Sequence, residues 1–281
     1  MTSFFENIFK YEKFPTEYEC YKQFSDVENY IAVPWTQILN SHWLQFPGNY
    51  GRDYFLKEIS KYKIETENNF TVCQHDSFML LKNYYYHLKI NKVFACAPYD
   101  YDKIENVDIV SMPYINIFNF DTLEKDILVS FLGSTTHDCR EVIKNNIKND
   151  HIIFRDTYHI TSDFFTKNQK QDQEIEYKNV LSRSKFSLCP RGTNPNTIRF
   201  WESLAAGAIP ILISDNYLLP DWDWDNTIIR IKESELKDLN YDKLKDILLN
   251  VNNEQVLRKN CLKAYKKFKK ENYRDYIFAN L

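Results

Sequence analysis

The sequence predicts an α/β protein built on open parallel sheets, and two observations carry that expectation. Short apolar runs alternate with helical or irregular stretches, as they do where strands and crossover segments alternate. Ala208 to Ile213 is apolar without a break, which suits a strand buried on both faces. The connection is legible too: Ser184 to Ser214 reads as strand, loop, helix, turn and strand, a βαβ unit.

In chain order, Ser3 to Phe9 reads as a short docking helix. Tyr30 to Thr36 reads as a strand ending in a Pro-bearing loop, and Trp43-Leu-Gln-Phe-Pro-Gly leads into a helix over Asp53 to Lys61. Phe70 to Cys73 is a second strand, followed at once by Gln74-His75-Asp76. Ser77 to Leu88 has helical spacing, with Phe78, Leu81, Tyr85 and Leu88 as core positions. Val93 to Ala97 and Asp108 to Met112 are further strands, each stopped by a proline. Tyr114 to Glu124 has no steady period. We take it as the connection between a domain over 1–120 and one over 121–281, whose last helix can pack back on the first.

The second domain opens on Ile127 to Leu132, a strand. Gly133-Ser-Thr-Thr-His-Asp follows, and a helix begins at Cys139-Arg140. His151 to Arg155 is a strand, and Tyr177 to Ser184 is helical. Phe186 to Leu188 is the first strand of the βαβ unit. Its helix is capped by Asn196 or Thr197 and runs to about Ala206, and Gly207 suits the left-handed residue beyond a helix end. Thr227 to Ile231 is another strand. Tyr241 to Leu249 and Glu254 to about Phe278 are helices, the last with an apolar stripe through Leu257, Cys261, Ala264, Tyr265 and Phe268.

Composition narrows the function. Across 281 residues the net charge of −3 supplies no basic field, which argues against a general nucleic-acid binder. Aromatics reach 16%, with 20 Tyr and 20 Phe against 5 Gly, which we attribute to A/T-rich coding rather than to ligand stacking. The six cysteines are widely spread with no C-x-x-C pair, so we expect a reducing compartment. Met1 to Pro15 has no signal-peptide core and no segment reaches the length of a membrane span, so we expect a soluble, cytoplasmic protein. The lysines of the last helix make a solvated face and leave room for weak membrane contact.

Several residues carry candidate chemistry. Arg199, Glu202 and Ala206 share one helix face. They form either a surface i,i+3 ion pair or a nucleotide pocket, with Arg on phosphate, Glu on ribose and Ala leaving space. The loop at Gly133 and the loop at Arg191-Gly192 both lead into helix N-termini, which suit anions. Arg140 opposes the helix dipole in its first turn, which points to an anion nearby or to a salt bridge with Asp138 or Glu141. At the strand end His75-Asp76, either residue can be a general base, or Asp76 caps the next helix. Asp221-Trp-Asp223 has the spacing of a metal-binding Asp-x-Asp. It lacks the Gly and Glu of a calcium loop and reads better as a solvated acidic loop with Trp222 or Trp224 packed inward.

These residues resemble a known family. Ser184-Lys-Phe-x-Leu-Cys-Pro-Arg-Gly, followed by Arg199-Phe-x-Glu202, Ala206-Gly-x-Ile-Pro and Ile213-Ser-Asp-Asn-Tyr-x-Leu-Pro220, is similar to exostosin-type glycosyltransferases. Phe131-x-Gly133 with Arg140, Val72-x-x-His75-Asp76 and Val107-Asp-Ile-Val-Ser-Met-Pro113 extend the likeness over most of the chain from about Tyr30. The resemblance implies a GT-B architecture, two Rossmann-like domains facing across a cleft. It implies inverting transfer from a UDP-sugar to a glycan hydroxyl, with no bound metal and no cofactor beyond the donor. Arg140, Arg191 and Gly192 would then hold the diphosphate beside Gly133, Arg199 would support it, and Glu202 would bind the ribose. An oligosaccharide, glycoprotein or glycolipid acceptor would enter against Trp35, His75 and Asp76, with His75 or Asp76 as the base. Animal members are usually membrane-anchored and some carry a second, metal-dependent transferase domain. We expect instead a compact bacterial or large-virus type, with xylose, a hexose or a uronate as the donor sugar. The other readings are a metal-dependent transferase using Asp221 and Asp223, and a nucleotide-sugar- or glycan-binding protein without catalysis.

Overall fold

The computed structural model describes residues 14–40, 52–155 and 167–281. The docking helix expected over Ser3 to Phe9 and the Trp43 to Gly48 stretch lie outside them. The chain forms two compact units. One comprises Met1–Ile115, Asn216–Pro220 and Phe268–Leu281, and the other Asn116–Asp215 and Asp221–Lys267. The chain thus returns to the first unit twice, at Asn216–Pro220, which a simple division at 120 leaves out, and at Phe268–Leu281, the end of the chain expected to pack back on it. The single helix expected from Glu254 to Phe278 is broken after Phe268, where Lys269 is extended (ψ 156°), and Tyr273–Phe278 belongs to the first unit.

The first unit contains helices α1 (Pro15–Phe24), α2 (Trp35–Leu39) and α3 (Arg52–Ile59), strand β1 (Asn69–Cys73), a 3-10 turn at Phe78–Leu81, α4 (Lys82–His87), β2 (Ile90–Ala95) and β3 (Asp108–Ser111). The three strands are parallel in the order β1-β2-β3. All five residues of β1 are buried. Phe24 of α1 meets Phe70 edge-on at 5.7 Å and Phe278 of the C-terminal helix at 5.6 Å. Such offset and edge-on rings bind α1, the sheet and the chain end into one aromatic core. The expected core positions Phe78, Leu81, Tyr85 and Leu88 are all buried. The strand expected from Tyr30 to Thr36 is absent: Tyr30 makes one isolated bridge to Phe70, and the chain enters α2 after Pro34. Pro34 supplies no N–H to a ladder, while its carbonyl accepts from Ile38 N at 3.0 Å and starts the helix.

The second unit contains β4 (Ile127–Gly133), α5 (Asp138–Asn146), β5 (Ile152–Phe154), α6 (Lys167–Arg183), β6 (Ser184–Pro190), α7 (Ile198–Ala206), β7 (Ile209–Ile213), β8 (Ile229–Arg230), α8 (Tyr241–Leu249) and α9 (Glu254–Phe268). Its five parallel strands run in the order β5-β4-β6-β7-β8. Phe186, Leu188 and Ile211 are fully buried, as are Phe200 and Leu204 on α7. Gly207 ends α7 at φ 65°, the left-handed geometry that a Cβ disfavours. Trp224 is the tryptophan of the acidic loop that packs inward, 5.3 Å from Phe200. Each unit is thus a Rossmann-like α/β layer, and two such layers in one chain make up the GT-B plan.

Candidate functional site

The strand order of the second unit locates a crevice. From β4 the chain goes to β5 on one side, then returns through α6 to β6 on the other. This reversal opens a gap at the carboxyl ends of β4 and β6, the place where open α/β sheets bind ligands. Two loops leave those ends: residues 134–137 after Gly133 and residues 191–197 after Pro190. They are the two loops that the sequence marks as anion sites.

Arg140 joins them. His137 caps α5 through Nδ1, which accepts from Cys139 N at 3.3 Å, and Arg140 follows in the first turn. Its guanidinium donates to Arg191 O (2.8 Å), Ser134 O (3.0 Å) and Pro190 O (3.1 Å). Its partners are backbone carbonyls, where the sequence suggested Asp138 or Glu141. Three of its five N–H groups are committed and two remain. Burial, then the nearby Arg199, push its pKa down to about 10, so it stays a cation at neutral pH.

Arg199 sits in the first turn of α7, where a cation opposes the helix dipole. Its guanidinium lies 4.6 Å from the Phe131 ring and 5.1 Å from the Tyr177 ring. Among the described residues it has no hydrogen-bond or ion-pair partner. Gly133 makes room for it: a Cβ there would stand 3.1 Å from Arg199 Nη2 and 3.0 Å from Phe131 Cζ. Arg191 donates to Thr193 O at 3.1 Å and faces Glu233 at 3.7 Å. Gly192 N donates to Asn196 O at 3.2 Å and closes that loop.

Glu202 shows that the Arg199–Glu202 face is no surface ion pair. Its residue is 7% exposed and its Oε2 accepts from the Tyr177 hydroxyl. Burial raises its pKa against the opposing pull of that hydroxyl and of Arg199. Ala206, expected to leave space, is packed with Leu181 and Ala208. Tyr177 was missed from sequence because it comes from another helix, 25 positions away.

In the first unit His75 and Asp76 follow β1. His75 Nδ1 lies 2.9 Å from Asp76 Oδ1 and also 2.9 Å from Ser77 N, while Nε2 lies 3.3 Å from Asn40 Oδ1. Nδ1 serves one neighbour at a time: as neutral imidazole it accepts from Ser77, and as imidazolium it donates to Asp76. Asp76 is not the helix cap. Its Oδ1 accepts from the Ser77 hydroxyl at 3.0 Å, and the 3-10 turn has no side-chain cap. Burial alone would raise the Asp76 pKa; His75 and Ser77 outweigh it and hold the carboxyl below its usual value.

Trp35 does not join this site. It is 0% exposed, its Nε1 donates to Thr71 Oγ1 at 2.9 Å, and Tyr85 meets it edge-on at 5.6 Å. A ring sealed on all sides cannot receive an acceptor. The sequence also hid Glu17, 2% exposed on α1. Its carboxylate accepts from Thr36 Oγ1 (2.6 Å), Thr36 N (3.2 Å) and Gln74 N (2.8 Å), directly before His75. Asp223 at the acidic loop accepts from Asn226 Nδ2 at 3.0 Å.

The family model for the exostosin GT47 domain matches residues 41–246. The chain belongs to this family of glycosyltransferases. It is 26% identical over 144 residues to the probable glycosyltransferase At3g07620 of Arabidopsis thaliana, covering 49% of this chain and 27% of that protein. It is 31% identical over 96 residues to the probable beta-1,4-xylosyltransferase IRX10 of the same plant, covering 33% of this chain and 22% of that protein. The chain thus spans about a quarter of the length of these curated relatives. A crystal structure of TarM aligns with a TM-score of 0.43 at 13% identity, over 81% of this chain and 53% of that one. No helix among the described residues is long and apolar enough to cross a membrane.

Proposed function

We propose that this exostosin-family chain transfers a sugar from a UDP-sugar to a glycan hydroxyl, with inversion and without a bound metal. The observation that carries the reading is the crevice at β4 and β6. It gathers Arg140, Arg191 and Arg199 beside the α7 N-terminus, with the Glu202 carboxylate behind them. Fixed cations and helix N–H groups stabilise a leaving diphosphate without reorganising as charge develops. Gly133 and Gly192 keep the loops close to those arginines. Glu202 accepts from the ribose.

The acceptor side belongs to the first unit. His75 or Asp76 takes the proton of the acceptor hydroxyl as its oxygen attacks the anomeric carbon. The bond from that carbon to the diphosphate oxygen breaks, UDP leaves with the electron pair, and the configuration inverts. Xylose, a hexose or a uronate is the proposed sugar, and the xylosyltransferase name of one relative supports xylose. The proposed acceptor is an oligosaccharide, glycoprotein or glycolipid.

The test is UDP release, with an oligosaccharide acceptor, across UDP-xylose, UDP-glucuronate, UDP-galactose, UDP-glucose and UDP-N-acetylglucosamine, with and without EDTA. Turnover with one donor that survives EDTA is expected. Turnover that EDTA abolishes would refute metal independence. Binding of UDP without transfer from any of these donors would favour a non-catalytic binding protein. Glu202→Ala should weaken UDP binding, whereas His75→Ala or Asp76→Ala should lower kcat and spare UDP affinity.

A further inference from the structure

Glu202 is short of donors. A carboxylate has about four lone-pair sites, and each unfilled one can take a further donor. Among the described residues the Tyr177 hydroxyl on Oε2 is the hydrogen-bond donor to Glu202, and Oε1 has none. Arg199, one helical turn away, would be the obvious partner, yet its guanidinium rests on the Phe131 and Tyr177 rings instead. The Tyr177 ring is itself anchored, packed on Leu181, Ala206 and Ala208 and tilted against Phe118 at 5.8 Å. One anchored side chain thus touches both charges of the site: its hydroxyl holds the carboxylate, and its ring faces the cation.

We propose that Tyr177 is a positioning residue that keeps Glu202 off Arg199 and presents its open Oε1 to a ribose hydroxyl, so that the site selects ribonucleotides over deoxyribonucleotides. This rests on the donor site proposed above. The chemistry selects a hydroxyl as the missing group. A phosphate beside Glu202 would face a like charge, whereas a neutral O–H supplies the donor that Oε1 lacks. With the Tyr177 hydroxyl gone, Glu202 is free to pair with Arg199 at i,i+3. That pairing occupies the ribose acceptor and quenches the diphosphate cation together.

The experiment compares the dissociation constants of UDP and 2′-deoxy-UDP by calorimetry, for wild type, Tyr177→Phe, Glu202→Gln and the double variant. Tyr177→Phe keeps the ring on Arg199 and removes only the hydroxyl. Wild type should prefer UDP by about tenfold, the size of one charge-assisted hydrogen bond. Tyr177→Phe should weaken UDP about tenfold and bring the UDP to 2′-deoxy-UDP ratio close to one. In the Glu202→Gln background the same change should leave the ratio where Glu202→Gln put it. A role in packing alone would lower both affinities equally and keep the ratio, which would overturn the proposal. Tighter UDP binding by Tyr177→Phe would also overturn it, since the hydroxyl would then be competing with the ligand. Wild type that binds neither nucleotide would instead refute the donor site itself. A melting curve of Tyr177→Phe confirms that the compared protein is folded.

Discussion

Replacing Glu17 by Gln should change how stability depends on pH, and the size of the change follows from its surroundings. Burial pushes the Glu17 carboxyl up to about 7 from an ordinary 4.5, and the donors Thr36 and Gln74 only partly offset that. A carboxyl whose folded pKa is raised favours folding when protonated. Its contribution is fully present below pH 4.5 and is lost as pH rises through 7. A shift of about 2.5 units, at about 1.36 kcal/mol each, sets a ceiling of about 3.4 kcal/mol. Between pH 5 and pH 8 the folded state should lose about 2.5 kcal/mol of it. The nearby thiols of Cys20, Cys73 and Cys96 are raised well above their ordinary value by burial, so they stay neutral throughout this range. The assay is urea unfolding of wild type and Glu17→Gln at both pH values. Wild type should lose about 2.5 kcal/mol more than the variant on going to pH 8. Parallel losses, within about 0.5 kcal/mol, would mean that the carboxylate is already ionised at low pH and that its three donors outweigh burial.

Other changes read out separate contacts. Gly133→Ala places a Cβ 3.1 Å from Arg199 Nη2 and 3.0 Å from Phe131 Cζ, so UDP affinity should fall about tenfold and the melting temperature should fall as well; unchanged affinity in folded protein would mean that Arg199 does not touch the nucleotide. Trp35→Phe removes the bond to Thr71 and part of a buried ring; it should cost about 1–3 kcal/mol in denaturant unfolding and leave the acceptor KM unchanged, which a Trp35 subsite would not. Gly207→Ala forces a Cβ onto a φ of 65° and should destabilise by about 1 kcal/mol in the same assay.

Which parts were legible depends on the range of the interaction. The β6–α7–β7 unit was readable because its signals are local: an apolar run, a four-residue spacing of Phe200 and Leu204, and a glycine at the helix end. The loops after β4 and β6 were readable for the same reason, since each is a strand end beside a helix start. The strand expected at Tyr30 to Thr36 failed because its apolar residues are buried by the tertiary fold without entering a ladder. Trp35 failed likewise. An aromatic at a supposed strand end looks like a ligand platform until its hydrogen bond to Thr71 and its seal against Tyr85 are seen.

By itself, then, the sequence determined the family, the α/β class and the residue types at the loops after β4 and β6, because periodicity, glycines and a dense motif are properties of neighbouring positions. Only the tertiary structure decided what each charge does. Arg140 was drawn to three carbonyls from two loops, Arg199 to two rings, Glu202 to Tyr177, and Glu17 to donors 19 and 57 positions away. Desolvation is the reason. A charge removed from water must find its partners among whatever groups folding brings around it, and chain spacing does not specify them.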